Sequence, residues 1–197
     1  MYKFIENYVE EQAKAILKTP YGDIERFCEM LLDARADGKR IFFAGNGGSA
    51  ATASHFTNDL VKGLSPGNVK RFKAFSLVDQ VSVITALAND YDYSVIFSEQ
   101  LKNYAEKDDL LIVISGSGNS PNVVKACEYA GEIGMKTAAL TGRDGGKLKS
   151  LCDLSVIAPV EGMEQIEDIH QATLRVLWET GARLESEWAL DFLEAYG

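Results

Sequence analysis

The chain has 197 residues, of which 46% are apolar and 25% charged, as is usual for one soluble globular domain. Its formal net charge of -9 argues against the basic surface that holds nucleic-acid phosphates, so any anion must be bound by local donors. No apolar stretch approaches the roughly 20 residues of a membrane span, and the cysteines Cys28, Cys127 and Cys152 have no CxxC spacing, which fits a reducing cytoplasm.

Two helices are predicted before the first strand. Residues 3–18 repeat apolar side chains every three or four positions until Pro20 stops the pattern. Asp23 is the predicted N-cap of the second helix, which ends at Asp37-Gly38. We expect the apolar side of the first helix to contact another subunit, with packing on its own domain as the alternative.

Short apolar strands then alternate with helices. The strands are predicted at 40–44, 72–77, 110–114, 136–141 and 154–158. The helices are predicted at about 49–62, 81–88, 94–104, 121–133 and 164–185, with a short helix after the GRDGG turn. This alternation favours an α/β three-layer sandwich with a five-stranded parallel sheet. We interpret 1–197 as one domain, with N-terminal helices at 1–37, the α/β core at 38–185 and a C-terminal tail at 186–197.

Two glycine- and serine-rich turns each follow a buried strand and precede a helix. We call GNGGS (45–49) the first turn and SGSGNSP (115–121) the second turn. Ligands of parallel sheets bind beyond the carboxyl ends of the strands, and the free N–H groups of a helix start attract anions. A single such turn can be only a tight connection with a serine cap. The same chemistry after two strands favours a phosphate site, and neither turn has the pattern of a Walker A loop.

Residues of both turns are therefore candidate ligand contacts. Three hydroxyls of the second turn are predicted to surround the phosphate, while Asn46 and Ser49 reach the ligand from the first turn. The predicted substrate-binding residues are Asn46, Gly47, Gly48, Ser49, Asp90, Ser115, Gly116, Ser117, Asn119, Ser120 and Glu164.

Two helices carry the side chains that could transfer protons. His55 and Asp59 are four residues apart and share one helix face, although a solvated aspartate beside a packing histidine has the same spacing. The late helix has a polar stripe that includes Glu167 and Arg175 and that could equally face solvent. His170, the only other histidine, either reaches the site from another angle or supports packing.

Four segments together resemble the sugar isomerase (SIS) domain family, and especially its phosphoheptose isomerases: GNGGSAATASHF, ALAND, ISGSGNSPNV and LTGRDGGKL. The resemblance covers nearly the whole chain and implies a flavodoxin-like fold, a cytoplasmic homotetramer and a role in heptose biosynthesis. The implied reaction converts sedoheptulose 7-phosphate to D-glycero-D-manno-heptose 7-phosphate through an enediol. By the same resemblance, the second turn holds the phosphate, and Asn46, Ser49 and Asp90 contact the sugar.

The resemblance also assigns the catalytic roles. Asp59 stands where these isomerases have a glutamate base, Glu167 where they have a glutamine, and Arg175 where they have a histidine acid/base. Arginine is a poor proton shuttle, so Arg175 and His55 are expected to assist electrostatically. Some family members bind zinc at the positions of His55, Asp59, Glu167 and Arg175. Three of these residues could still hold zinc here, but a guanidinium beside the ion is unfavourable, so no metal or other cofactor is assigned.

The leading hypothesis is an enzyme that acts on a small phosphorylated sugar and binds neither nucleic acid nor membrane. The alternative is a non-catalytic SIS module that binds a phosphosugar or another protein, as in the DnaA initiator-associating protein, which also resembles these isomerases. Replacement of the late-helix histidine and glutamine, at Arg175 and Glu167, supports that alternative.

Overall fold

Five parallel strands form the central sheet, in the order β2-β1-β3-β4-β5. The structure is a computed structural model and describes residues 1–64 and 70–184. The strands are β1 (Arg40–Gly45), β2 (Lys73–Ser76), β3 (Leu110–Ser115), β4 (Lys136–Gly142) and β5 (Leu154–Ala158). The α-helices are α1 (Tyr2–Leu17), α2 (Tyr21–Ala36), α3 (Gly48–Asn58), α4 (Val81–Asp90), α5 (Ser98–Tyr104), α6 (Pro121–Glu132), α7 (Leu148–Leu151) and α8 (Met163–Leu184). The predicted three-layer α/β sandwich is confirmed.

Alternate strand residues face two separate hydrophobic cores, because successive side chains of a strand point to opposite faces. On one face, Ile41 and Phe43 of β1 pack with Phe27 of α2 and Phe56 of α3. On the other face, Phe42 packs with side chains of α5, α6 and α7. Both faces of the sheet are therefore covered, which explains why the strands are almost continuously apolar.

Two local predictions were wrong. Asp23 is not the N-cap of α2, because the helix begins at Tyr21 after Pro20, and Asp23 instead forms an ion pair with Arg26 inside the first turn. The helix predicted at 94–104 is divided into a 3-10 turn, Tyr93–Val95, and α5. Buried Ile96 and Phe97 lie between the two pieces, so packing against the sheet overrides helical continuity there.

The sheet topology places the two glycine-rich turns side by side. β1 and β3 are neighbours, with Gly45 of β1 in register with Ile114 of β3, and each strand leads directly into one of the turns. The connection after β1 leads toward β2 at one edge of the sheet, and the connection after β3 leads toward β4 on the other side, so the order of strands reverses between β1 and β3. Such a switch point opens a crevice at the carboxyl ends of the strands, where ligands of this class of sheet bind.

α1 lies at the periphery of the described residues. Ala15 is its only buried residue, and it joins a small cluster with Ala158, Ile166 and Ile169. Most of the apolar side chains of α1 stay exposed. No helix in residues 1–64 and 70–184 is both long enough and apolar enough to cross a bilayer.

Candidate active site

The first turn needs glycine where the backbone passes close to itself. A side chain at Gly45 would come within 2.8 Å of the Ser49 carbonyl group. Gly47 has a φ of 55°, a conformation that favours glycine, and precedes the first residue of α3. Ser49 is buried in the first turn of the helix. The turn thus brings the amino end of α3 and the side chain of Ser49 to the crevice.

The second turn curls back on itself before α6. Gly118 has a φ of 64°, and its N–H donates to the Ser115 carbonyl oxygen at 2.9 Å. The hydroxyls of Ser115 and Ser120 lie 3.4 Å apart, and Ser120 is the residue before the first turn of α6. This helix begins with proline, whose missing N–H costs no hydrogen bond at that position. Two hydroxyls and the amino end of α6 thereby converge.

The loop after β4 packs directly against the second turn. A side chain at Gly118 would overlap the Gly145 carbonyl oxygen, so the two backbones are in close contact. The Asn119 amide group joins the same segments, since it donates to the Ser117 carbonyl oxygen at 2.8 Å and accepts from the Lys147 N–H at 3.1 Å. The LTGRDGGKL segment therefore positions the second turn.

A cavity of about 130 Å³ lies between the two turns and the start of α8. It is lined by Asn46, Ser49, Ile114, Ser115, Gly116, Ser117, Ser120, Met163 and Glu167. Hydroxyl and amide groups dominate its polar surface, and neutral donors of this kind bind phosphate without a basic residue. The cavity thus unites six of the predicted substrate-binding residues with one predicted catalytic residue.

α8 runs alongside α3, and residues at successive turns of α8 contact residues at successive turns of α3. The Glu167 carboxylate lies above Gly48, where an added side chain would approach both carboxylate oxygens to 2.5 Å. One turn further, Gln171 donates to the Thr52 hydroxyl at 3.0 Å. These contacts fix the register of the two helices and hence the position of Arg175.

Arg175 binds both Asp59 and His55, the two polar side chains predicted to share one face of the helix after the first turn. Its Nη1 donates to Oδ2 of Asp59 at 3.0 Å, and its Nη2 lies 3.0 Å from Nε2 of His55. A guanidinium can only donate, so Nε2 of His55 accepts and the ring proton is on Nδ1. Asp59 begins a π-helical turn, Asp59–Gly63, an irregularity that is frequent at functional sites. The tertiary structure therefore brings these three predicted catalytic residues together.

The residues do not fit the zinc ion that the family resemblance allowed at these positions. Zinc would have to compete with Arg175 for Nε2 of His55 and for the carboxylate of Asp59. Within residues 1–64 and 70–184, no group of three or more His, Cys, Asp or Glu side chains is arranged to hold a metal. The Arg175 guanidinium, which contacts both His55 and Asp59, would also repel a metal cation bound to them.

Five predicted contacts lie outside the lining of the cavity: Gly47 and Gly48 of the first turn, and Asp90, Glu164 and Asn119. Asp90, at the end of α4, accepts a hydrogen bond from the neighbouring Asn89 at 2.8 Å. Glu164 is exposed in the first turn of α8. Asn119 uses its amide to support the second turn. The roles of these residues in binding substrate stay predictions.

His170 lies in the interior and supports packing. It is 2% exposed, and its Nε2 donates to the Thr141 carbonyl oxygen at 2.9 Å. Burial lowers the pKa of His170 to about 4, and the hydrogen bond to Thr141 opposes this shift. The imidazole is therefore neutral near pH 7 and does not line the cavity.

Sequence reasoning missed two residues that contact Asn46. Asn122 of α6 exchanges two amide hydrogen bonds with it, at 2.8 and 2.9 Å, and the Tyr93 hydroxyl donates to it at 3.0 Å. Asn122 belongs to the quoted ISGSGNSPNV segment, but the residues predicted to bind substrate there were its serines, Gly116 and Asn119. No spacing rule relates Tyr93 to Asn46, 47 positions apart.

Comparison with known proteins gives concordant matches. A family model described as SIS domain matches residues 4–142. A phosphoheptose isomerase of Helicobacter pylori (strain P12) is 39% identical over 168 residues, covering 85% of this chain and 87% of the relative. One of Aliarcobacter butzleri (strain RM4018) is 37% identical over 161 residues, covering 82% and 85% respectively. The solved structure of phosphoheptose isomerase GmhA from Neisseria gonorrhoeae is 29% identical, with a TM-score of 0.85, and the match covers 92% of this chain and 98% of that one.

Proposed function

The chain belongs to the SIS domain family, and from that membership we propose that it is a phosphoheptose isomerase. The reaction is the conversion of sedoheptulose 7-phosphate to D-glycero-D-manno-heptose 7-phosphate, an aldose-ketose exchange within heptose biosynthesis. The observation that carries the proposal is the cavity at the β1/β3 switch point, where neutral donors of both turns converge. The whole chain, 1–197, acts as one SIS domain.

The arrangement of groups along α3 suits a long substrate with its anion at one end. The hydroxyls of Ser115, Ser117 and Ser120 hold the phosphate in the cavity. His55 follows Ser49 by six residues of helix, which corresponds to about 9 Å at 1.5 Å per residue. A heptose 7-phosphate carries its phosphate at the last carbon and reacts at the first two. The reacting end therefore extends along α3 toward His55 and Asp59.

The proposed chemistry is proton transfer through an enediol. Asp59 removes a proton from the first carbon, the electron pair of that bond forms the carbon–carbon double bond, and the carbonyl oxygen on the second carbon gains a proton. Return of the proton to the second carbon and loss of the hydroxyl proton from the first give the aldose. Arg175 shares Oδ2 of Asp59, so Oδ1 is the oxygen available for this transfer.

Arg175 and His55 supply electrostatic support. Arg175 cannot give up a proton near neutral pH, so it stabilises the developing oxyanion as a fixed cation. Glu167, on the wall of the cavity, accepts hydrogen bonds from sugar hydroxyls. This proton transfer requires neither a redox cofactor nor a nucleotide.

Hydrogen exchange at carbon tests the proposal directly. The protein is incubated with sedoheptulose 7-phosphate in deuterated water, and label beside the carbonyl is followed by NMR. An isomerase incorporates deuterium, whereas Asp59→Asn abolishes labelling and still binds the sugar. Labelling by Asp59→Asn at the parent rate refutes the assignment of the base.

One observation favours a second function, a phosphosugar-binding SIS module without turnover. The ion pair between Arg175 and Asp59 occupies one oxygen of the carboxylate that should act as base. The same labelling experiment distinguishes the two functions, because a binding module shows saturable association without deuterium incorporation.

We further propose that the protein is a cytoplasmic homo-oligomer, with a tetramer as the expected state. The supporting observation is the exposed apolar surface of α1, on which Phe4 is 73% exposed and Val9 60% exposed. Apolar surface of this extent is stabilised when a second subunit covers it.

A further inference from the structure

A backbone amide fixes the orientation of the buried Asn122 side chain. The Val123 N–H donates to Oδ1 of Asn122 at 3.0 Å. A backbone N–H can only donate, so the oxygen and not the nitrogen of the side-chain amide must face it. Asn122 is 2% exposed, and turning the amide over would leave buried polar groups without partners.

The orientation of Asn122 in turn determines that of Asn46. Nδ2 of Asn46 donates to Oδ1 of Asn122 at 2.9 Å, and Nδ2 of Asn122 donates to Oδ1 of Asn46 at 2.8 Å. The Tyr93 hydroxyl donates to the same Asn46 oxygen at 3.0 Å. Since an amide oxygen has two acceptor sites, both sites of Asn46 are occupied. One N–H of its Nδ2 is left for a ligand.

We propose that Asn122 and Tyr93 are positioning residues, which hold the Asn46 side chain so that it offers the ligand one N–H donor and no acceptor. The inference rests on the proposed function, because the ligand is taken to be a sugar phosphate. The acceptor on that ligand is an oxygen of its phosphate or of the sugar chain. Asn46 lines the cavity with the serines of the second turn, so such an oxygen lies within its reach.

The direction of this hydrogen bond matters in a cavity that must hold an anion. The oxygen and nitrogen of an asparagine amide are similar in size, so an unrestrained Asn46 could present either end. An oxygen that faces phosphate would repel it, whereas an N–H stabilises it. Fixing the donor before the ligand arrives also reduces the conformational entropy lost on binding.

Tyr93 additionally connects two segments of the site. It lies in the 3-10 turn after α4, so its hydroxyl ties the chain next to Asp90 to the first turn. Lys125 of α6 donates to Ser94 in the same 3-10 turn at 2.6 Å. The 3-10 turn that begins three residues after the predicted sugar contact Asp90 is thus connected to Asn46.

The comparison of Asn46→Asp with Asn46→Ala tests the donor direction. Aspartate keeps the shape of asparagine but lacks the donor and adds a negative charge, whereas alanine only removes the side chain. Binding of sedoheptulose 7-phosphate is measured by calorimetry. We expect Asn46→Asp to bind about tenfold or more weakly than Asn46→Ala. Equal or tighter binding by Asn46→Asp overturns the proposal.

A double-mutant cycle tests whether Tyr93 acts through Asn46. We expect Tyr93→Phe to raise KM about three- to tenfold with little change in kcat or in thermal stability. In the Asn46→Ala background, the same substitution should have no further effect, which a merely structural role of Tyr93 would not produce. Additive effects of the two substitutions refute the assignment. Tyr91→Phe, an exposed tyrosine two residues away, is the matched control and should behave as the parent.

The measurements separate this inference from the proposed function. A parent protein that binds the sugar without isomerising it refutes the catalytic function, while the calorimetric comparison still decides the role of Asn46. A parent with normal turnover and an additive cycle refutes only the positioning roles. Absence of saturable binding to the parent overturns both proposals.

Discussion

Arg175 is the residue that most distinguishes this site chemically. It forms an ion pair with Asp59, whose side chain is 15% exposed, and contacts His55 with its second nitrogen. A permanent positive charge thus lies beside the proposed base. Because arginine stays charged, its contribution to the reaction is electrostatic and does not depend on proton release.

Substitution of Arg175 tests this electrostatic role. Arg175→Gln keeps hydrogen-bonding capacity but removes the charge, and we expect kcat to fall by roughly 10²–10³-fold, as for loss of an oxyanion-stabilising group. Arg175→Lys keeps the charge and should retain more activity than the glutamine variant. Initial rates with sedoheptulose 7-phosphate provide the measurement. A parent rate that collapses after chelator treatment would show that a metal supplies the charge.

His170 makes stability depend on pH. Its pKa is about 4 in the folded protein, below the ordinary value of 6.5, because burial disfavours the charged form. The unfolded chain therefore takes up a proton first on acidification, and stability is lost as pH falls from 6.5 toward 4. The difference of the two values corresponds to about 3 kcal/mol at most.

The prediction is that His170→Gln removes this part of the acid sensitivity. Glutamine can still donate to the Thr141 carbonyl oxygen but does not titrate. Urea denaturation at pH 7 and pH 5 gives the free energies of unfolding of the parent and the variant. The parent should lose more stability than the variant between these pH values; equal losses would contradict the assigned burial effect.

At the scale of elements, the second turn and the loop after β4 form one interlocked unit. Gly118 and Gly145 have positive φ angles, and their backbones touch where no side chain fits. The Leu148 N–H donates to the Gly118 carbonyl oxygen at 3.1 Å, which joins α7 to the turn. The geometry of the proposed phosphate site therefore depends on a segment distant in sequence.

Gly118→Ala should damage both folding and phosphate binding. The added methyl group meets the Gly145 carbonyl oxygen, and the left-handed backbone costs an L-residue about 1 kcal/mol or more. We expect a lower melting temperature and weaker binding of inorganic phosphate. Gly131→Ala on α6 is the matched control, because nothing lies within 4 Å of the new methyl group. That variant should be at least as stable as the parent, and a similar loss in both would refute the explanation.

At the scale of the whole molecule, α1 packs only loosely against the rest of the described chain. Gln12 donates to the Gln165 carbonyl oxygen at 3.4 Å, yet only Ala15 of α1 is buried. The contacts of α1 with α8 therefore bury little of its apolar surface and stabilise it only slightly. The proposed contact with another copy of the chain would cover these exposed apolar side chains.

Disruption of α1 should change the oligomeric state. Ile5 and Val9 are one helical turn apart and 54% and 60% exposed, so Ile5→Glu with Val9→Glu places charge on one apolar face. Light scattering should show a smaller assembly for the double variant. Lys18→Glu, at the end of α1, is the control for the change in charge. A monomeric parent, or an unchanged mass in the double variant, would contradict the proposed assembly.

The aromatic C-terminal segment bears on the same question but lies outside the described residues. Trp188, Phe192 and Tyr196 make the tail at 186–197 unusually aromatic, which predicts either docking at the same interface as α1 or an extension peculiar to this chain. That prediction stays open.

Local pattern was sufficient for most elements of the fold. The apolar runs of β1 and β3 and the glycines that follow them predicted strand, turn and helix, because side-chain periodicity and backbone freedom act within a few residues. Prediction from local pattern failed where tertiary packing competes with the local preference for a helix. Burial of Ile96 and Phe97 interrupted a predicted helix, and α2 began before its predicted cap Asp23.

The sequence by itself determined the order of strands and helices, the two donor-rich turns and the four residues His55, Asp59, Glu167 and Arg175 as candidates for catalysis. Only the tertiary structure decided that Arg175 binds His55 and Asp59 together, that His170 is buried, and that Tyr93 and Asn122 orient Asn46. The physical reason is that hydrogen-bond direction and burial depend on contacts between distant segments. No periodicity along the chain encodes which of two amide atoms faces a cavity.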